Sequence, residues 1–538
     1  MTDDDAPGRF VRQSTGLVRE LGLRGTFGMA VAIILLGSVF SNFALGLTAV
    51  RGADFTIPMM IAIVLAAVSA LMYSQLTAVF PRTGGDFIYA SRTMHPLLGA
   101  AIGGALLLAL IVNIGLNVLY MSQVYFPLLV HSIGSGLNNQ AVVNLAETLA
   151  TRDAAFGIML VMVFLLIFLS TRPLAVATNL IFWLMALSAV GFVTTMFVLA
   201  THNQADFIAA FNASAEKPNA YESIISTAHS LGWSTGAMVL STLAIFPFAY
   251  INLAGYWGGN VAGGEIRRPV RTFTAALLLA LLFGGGTCLI AWLTLTHAVN
   301  LDFMQAAAWL FHAHPDTYGQ LSADNPLSGG LGYGIMLAGN PVVRVVIGLT
   351  LPVGTLAICI AYFLLASRVM FALAFDRLLP ERLATVNPRS HSPTFAVFAT
   401  AIGAVALVVA GNYGSGILPI FGNLILVLFA LFCITSLVAM VVPYRRPDLY
   451  NAAPKIFAGR WLKLPPLTVL GAISAVANGG AVVLIATQPA ISHGYEVGSI
   501  ATLAIIALFG PVLYGIAWWH LRRHGLSLGS AMHELPPE

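Results

Sequence analysis

The stretch Asn252–Asn260, NLAGYWGGN, places three glycines and two asparagines inside an otherwise continuous apolar segment that begins near Trp233. Glycine costs about 1 kcal/mol in a helix interior relative to alanine. In hydrocarbon, every main-chain N–H or C=O that such residues loosen must find a partner within the protein. Whether these nine residues pack a helix or break it therefore depends first on whether the segment lies in lipid.

The rest of the chain answers that. Of its 538 residues, 58% are hydrophobic and only 9% charged, and its mean hydropathy is +0.87. Soluble domains carry about 25% charged residues. Apolar runs of about 20 residues, each able to cross about 30 Å of hydrocarbon, recur along almost the whole length. The fold class expected is an all-α polytopic membrane protein with twelve transmembrane helices. They fall at roughly 27–50, 56–80, 98–130, 153–170, 175–201, 234–258, 273–299, 341–375, 394–411, 416–442, 464–487 and 497–519. The third and eighth are long enough to tilt or to project beyond the bilayer. The polar N-terminal tail, residues 1–26, shows no apolar signal-peptide core, so the first span is expected to stay in place.

Twelve spans put both termini on one side. That side collects 21 of the 25 Lys and Arg residues, leaving only Arg51, Arg152, Lys217 and Arg344 opposite. The positive-inside rule makes it the cytoplasmic side of the plasma (inner) membrane. The same asymmetry accounts for the pI near 9.0 without a nucleic-acid partner. Cys288, Cys359 and Cys433 each sit in an apolar span without metal-ligand spacing and read as small buried hydrophobes. Two long outside loops, 202–233 and 300–340, are rich in Pro, Asn, Ser and aromatics and are expected to form short surface helices. His312 and His314 lie there without a supporting carboxylate, an incomplete metal set. No metal and no cofactor is expected.

All 21 acidic residues fall in loops or at span ends, and no Asp, Glu or Lys lies mid-span. Carriers and pumps that move protons commonly place such groups at the midplane. An intramembrane hydrolase would need paired acids or metal ligands there. Uncharged polar groups and the backbone remain. A helix broken at the midplane turns free N–H groups toward an anion and free carbonyls toward a cation, an arrangement that suits a zwitterion. Two segments have the composition for it: INLAGYWGGN (Ile251–Asn260) in the sixth span and LGSVFSN (Leu36–Asn42) in the first. They open two five-span blocks, 27–201 and 234–442. An odd number of spans per block makes the second an inverted repeat, followed by a terminal pair at 464–519 and a cytoplasmic tail at 520–538. Against the break, glycine in a membrane span more often lets helices pack closely.

Three stretches resemble the amino acid–polyamine–organocation (APC) permeases. VFPRTGGDFIYASRTMHPLLG (Val79–Gly99) has the family's Phe-Pro, Gly-Gly, aromatic-x-Tyr and Ser-Arg pattern between the second and third spans. GGEIRRPVRT (Gly263–Thr272) is similar to its Glu, Pro and Arg run after the sixth. SRVMFALAFDRLLPERLATVNPRSHSPTFAV (Ser367–Val397) is similar to its loop after the eighth. The resemblance implies two inverted five-helix repeats plus two helices, with a substrate site at broken first and sixth helices. It aligns Gly255 with the glycine of the sixth break. Gly258 and Gly259, nearer the cytoplasmic end, are expected to pack or hinge. The chain departs from the family pattern in several places. The first break lacks its second glycine, since Val39 follows Gly37-Ser38. The position of the aromatic before the sixth break is held by Leu253, and Phe248, Tyr250 and Tyr256 are the candidates to stand in for it. The fifth span, NLIFWLMALSAV (Asn179–Val190), has no lysine. The eighth offers few hydroxyls for a sodium site, chiefly Thr355 and Ser367.

The resulting site is specific by residue. Backbone N–H groups from Gly37 through Ser38 and Val39 to Phe40, with the Ser38 or Ser41 hydroxyl, are expected to hold a carboxylate. Carbonyls of Ile251 and Asn252 are expected to hold an ammonium, with Tyr250, Leu253, Ala254 and Gly255 around them. Asn42 and Asn252 are expected to bond cavity-lining backbone, because an unpaired amide in lipid costs several kcal/mol. Asn113, Asn117 and Tyr120 share one helix face and form either a pocket wall or a polar seam. Tyr362 is a further candidate. Arg82, Asp86, Arg92, Glu265, Arg268, Asp376 and Arg377 form either a cytoplasmic gate network or ordinary solvated interface charges. The reading is a secondary transporter of amino acids or related amines, with the bilayer and a small-molecule substrate as its partners. Its rivals are a same-fold carrier of a polyamine, uncharged metabolite or ion, and a non-transporting amino-acid sensor.

Overall fold

The computed structural model describes residues 17–34, 39–137, 139–215, 217–234, 238–322, 326, 329–413, 418–487 and 497–523. The described regular structure is helical, in this order: α1 (Leu23–Ile33), α2 (Val39–Ala49), α3 (Thr56–Val79), α4 (Asp86–Thr93) and α5 (Pro96–Tyr120). A π-helical turn, Met121–Tyr125, joins α5 to α6 (Phe126–Gly136). There follow α7 (Gln140–Leu149), α8 (Arg152–Ser170), α9 (Leu174–Thr201), α10 (Gln204–Ser214), α11 (Ala220–Ser230), α12 (Met238–Ala244) and α13 (Phe246–Ile251). The chain continues through α14 (Pro269–Ala298), α15 (Leu301–Ala313), α16 (Pro315–Leu321), α17 (Gly329–Leu337), α18 (Pro341–Phe375), α19 (Thr394–Tyr413) and α20 (Leu418–Arg445). It closes with α21 (Pro447–Ala452), α22 (Pro466–Ala486) and α23 (Val497–Arg523). Several long helices start on proline, whose missing N–H is no loss in a first turn. At α18 the Asn340 side chain also accepts the N–H of Val342 at 2.8 Å.

Among the described residues, ten helices are long and apolar enough to cross a membrane: α3, the α5–α6 run, α8, α9, α14, α18, α19, α20, α22 and α23. These coincide with ten of the twelve expected spans. The first and sixth expected spans are instead the short helices α1 and α2, and α12 and α13. The helix α18 occupies the centre, 94% buried along its most apolar window, whereas α23 is 17% buried and peripheral. It packs on α9 and α5, while α20 packs on α22 and α1 lies between α9 and α14. Phe164, Leu282, Ile402 and Val476 point outward and are largely exposed, as lipid-facing residues are. Where α5 meets α23 the backbones nearly touch, because a Cβ on Gly510 would overlap the Ala100 carbonyl. This is small-residue packing of the membrane type.

The segments 202–233 and 300–340 contain short helices, as expected, but α15 is not a surface helix. Phe303, Met304, Ala306 and Leu310 are buried, and Gln305 donates to the Ala53 carbonyl at 3.0 Å. Tyr221 of α11 stacks on Phe303 at 4.4 Å between ring centroids. Aromatic burial, hidden in a loop of mixed composition, makes this region a packed cap. The His314 ring lies against Trp309, and His312 is exposed.

The two interrupted segments touch each other. The helix α1 ends at Ile33 and α2 begins at Val39. The sixth segment is α-helical only to Ile251. From there Ala254–Trp257 and Gly263–Glu265 are single 3₁₀ turns, and no second α-helical half precedes α14. At the breaks, Asn42 Nδ2 donates to Asn252 Oδ1 at 2.7 Å, and Asn252 Nδ2 donates to the Phe248 carbonyl at 3.0 Å. At the arginine-rich end the Leu21 N–H donates to the Glu265 carbonyl, and the Arg267 N–H to the Leu21 carbonyl, each at 2.9 Å. Asn42→Leu leaves the Asn252 acceptor buried without a donor, and a loss of about 1–3 kcal/mol is expected. Denaturant unfolding of the purified protein checks this, and an added Asn252→Leu should recover part of the loss.

Candidate functional site

A cavity of about 90 Å³ lies against both breaks. Its polar wall is Ser41 and Asn42 from α2, Asn113, Asn117 and Tyr120 from α5, and Tyr362 from α18. Ile33 closes it at the end of α1, and Ile251, Ala254 and Trp257 at the sixth segment. Leu110, Leu116, Leu424, Leu428 and Phe432 make up much of the apolar remainder. No Asp, Glu, Lys, Arg or His lines it among the described residues. Asn117 Nδ2 donates to the Asn113 carbonyl and to Asn113 Oδ1, both at 2.8 Å. The pair is thus both a wall and a local seam.

The expected site residues divide accordingly. Ser41, Asn42, Asn117, Tyr120, Ile251, Ala254 and Tyr362 meet at the cavity, whereas Val39, Phe40, Tyr250, Asn252, Leu253 and Gly255 do not line it. Gly37 and Ser38 lie outside the described residues. Gly255 serves contact: a Cβ there would overlap the Ala30 carbonyl and the Ile34 side chain. A Cβ on Gly258 would collide with Ile33, and one on Gly259 with Phe273. Tyr250 turns away, its hydroxyl sharing a hydrogen bond with Ser69 at 2.8 Å.

Tyr125 and Trp257 line the cavity without having been anticipated. A 3.6-residue period takes Tyr125 off the Tyr120 face, but the π-helical turn restores it, and the two rings stack at 6.0 Å. The Met121–Tyr125 sequence gives no sign of that turn.

Four of the seven expected gate charges, Asp86, Arg92, Glu265 and Asp376, are buried. Arg92 holds Asp376 through both guanidinium ends, at 2.6 and 2.9 Å. Glu265 is paired with Arg368, at 3.1 Å through Nε. Arg368 comes from the centre of the fold and was not among the expected residues. Burial pushes the Glu265 carboxyl above its ordinary range, with the Arg368 guanidinium pulling the other way. Arg82 and Arg377 are partly exposed and Arg268 is exposed, and Arg377 pairs with exposed Glu381 at 3.6 Å. Arg268 has φ +49° and caps the start of α14. Asp86 accepts from Tyr73 Oη at 3.0 Å, Trp257 Nε1 at 2.7 Å and Asn260 Nδ2 at 2.8 Å.

Residues 27–528 match the family model described as Amino acid permease. The chain belongs to that family, within the APC superfamily. A search of curated proteins returned no match. In this permease Leu253 is fully buried and lies 3.6 Å from where a Cβ on Gly285 of α14 would stand. None of Phe248, Tyr250 and Tyr256 takes its place at the cavity. The ring that faces the cavity from the unwound segment belongs to Trp257, one helical turn later.

Two of the ion pairs in this permease, Arg92–Asp376 and Arg368–Glu265, are buried. Removing one partner of a buried pair leaves an uncompensated charge, at about 3–5 kcal/mol. Arg368→Gln should therefore lower unfolding stability by that order. The double change Arg368→Gln with Glu265→Gln should recover much of it, as read by denaturant unfolding.

Proposed function

We propose that this membrane permease is a secondary transporter of amino acids with uncharged, apolar side chains. It works by alternating access about the two interrupted segments. One observation carries the substrate class: the cavity at the breaks is walled by neutral polar groups on one part and by leucines and Phe432 on another, with no ionisable acid or base among its described lining residues. A lysine, arginine, glutamate or polyamine side chain would be desolvated there without a partner, which costs several kcal/mol. The zwitterionic end needs no charged side chain. Backbone N–H groups from Gly37 through Phe40 would meet the carboxylate, with the Ser41 hydroxyl, which lines the cavity, beside them. The Ile251 carbonyl ends α13, where carbonyls lack intrahelical donors, and suits an ammonium.

In this reading the interrupted segments each cross the membrane, bringing the crossings to twelve. Residues 27–201 and 234–442 form inverted five-span repeats with 464–519 as an added pair. The arginine-rich end faces the cytoplasm, both termini included. The buried pairs Arg92–Asp376 and Glu265–Arg368 are then the cytoplasmic gate. A second reading, a carrier of an uncharged metabolite, is favoured by the same absence of ionic groups.

Counterflow in liposomes separates these. Protein preloaded with leucine, valine or phenylalanine should take up the labelled amino acid without an ion gradient, while lysine, arginine and spermidine give none. Exchange of a neutral non-amino-acid solute alone would favour the second reading. Binding without exchange would favour a sensor. Ala254→Leu puts a larger side chain into a cavity of only about 90 Å³, and should reduce exchange at least tenfold while the protein stays folded.

A further inference from the structure

A wider cleft, of about 440 Å³, opens at the arginine-rich end. Arg19, Arg268 and Arg271 line it, with Pro81, Pro269 and Pro454 among its walls. No acid lines it among the described residues. All three arginines are exposed, and none pairs with an acid of the described residues. Glu20, next to Arg19 in the chain, does not line the cleft. Three like charges around one space repel each other, so the cleft favours an anion.

The charges come from two segments docked on each other. Arg267 Nε donates to the Arg19 carbonyl at 3.0 Å, and Leu21 bridges Ile266 beside it. Arg268 and Arg271 stand at the start of α14, and no side chain caps that first turn, which leaves the positive end of the helix dipole open to an anion. The Pro454 wall is fixed to α3. Gln75 Nε2 donates to the Pro454 carbonyl at 3.1 Å, and Gln75 Oε1 accepts the Ile456 N–H at 2.9 Å. What the cleft borders points to its occupant. The helix α14 is one of those long and apolar enough to cross a membrane. Ala275, Leu278 and Leu282 follow Arg271 on one helix face, and all are exposed, Leu282 to 75%. An anion held by the arginines is thus continuous with a lipid-facing stripe.

We propose that this cleft binds the headgroup of an anionic phospholipid, with its phosphate on Arg19, Arg268 and Arg271 and an acyl chain along Ala275, Leu278 and Leu282. A phosphodiester has two free oxygens, which a guanidinium meets with two parallel N–H groups. Basic pockets beside spanning helices suit such headgroups. A soluble phosphate would use the arginines and leave the stripe without a role. The bound headgroup ties together two segments, one leading into the first interrupted segment and the other leaving the sixth. Binding here needs the bilayer but not transport.

Native mass spectrometry of the full-length protein in neutral detergent tests this by counting bound lipids. The first phosphatidylglycerol should bind with a Kd about tenfold or more below that of phosphatidylcholine, whose phosphate carries its own ammonium. Arg268→Gln with Arg271→Gln should erase that preference. Arg382→Gln with Arg389→Gln, exposed arginines outside the cleft, should keep it. If the first pair does not fold, Arg19→Gln should weaken phosphatidylglycerol by about fivefold. Thermal unfolding separates lipid from free phosphate: inorganic phosphate, replacing chloride at constant ionic strength, should leave the midpoint of the parent unchanged. A midpoint that phosphate raises in the parent and not in the Arg268/Arg271 variant, with no lipid preference, assigns the cleft to a free anion and overturns the proposal. A preference that survives in that variant, or is lost equally in the Arg382/Arg389 control, also overturns it. Neither readout involves transport, so failure here leaves the proposed function standing, and failed counterflow leaves this site standing.

Discussion

Hydrocarbon allows no unpaired backbone, and much of this structure follows from how two interrupted helices meet that demand. A loosened peptide group in lipid costs several kcal/mol unless the protein supplies a partner. The sixth segment supplies its own by tightening into i→i+3 turns, with Gly258 N–H on the Gly255 carbonyl, Asn260 N–H on Trp257 and Gly263 N–H on Asn260. What the turns leave over is met from outside. Gly84 takes the Val261 carbonyl, and Leu21 takes that of Glu265. Asn42 and Asn252 join the two breaks side chain to side chain. The interrupted segments are therefore held to one another as well as to the helices around them.

The same economy governs charge. Among the described residues buried acids are few, and each is neutralised or solvated by the protein. Arginines do this for Glu265 and Asp376, and neutral donors do it for Asp86. All three lie at the arginine-rich end, beyond the cavity. The cavity itself has no ionic side chain among its described lining residues, so what faces it is amide, hydroxyl and apolar surface. Trp257 links the two regions, with its ring at the cavity and its N–H on Asp86.

Much of the fold was legible because lipid imposes a length on each span. The eighth span was read to the residue, Pro341–Phe375, and Asn42 and Asn252 stood out as amides that apolar surroundings would force to pair. Other features depend on contacts between distant segments. Arg368 sits in the same motif as Asp376, but only the packing of α18 against the sixth segment brings it to Glu265, 103 residues earlier. Leu253, expected at the site, does not line the cavity, and Trp257, of which nothing was expected, does, in a stretch that turns by 3₁₀ geometry. Tyr125 reaches the cavity through a π-helical turn with no composition of its own.

By itself the sequence determined that the chain lives in a membrane, where most of its helices run, which two segments have the composition of an interrupted helix, and which family motifs they sit beside. Each of these follows from local composition, because hydrocarbon penalises polar groups residue by residue. Tertiary structure alone decided which polar groups meet. It set Asn42 on Asn252, gave Arg368 to Glu265, and left Asp86 to an indole, an amide and a phenol. Those pairings depend on how helices far apart in sequence cross, and a chain read in order carries no direct record of that crossing.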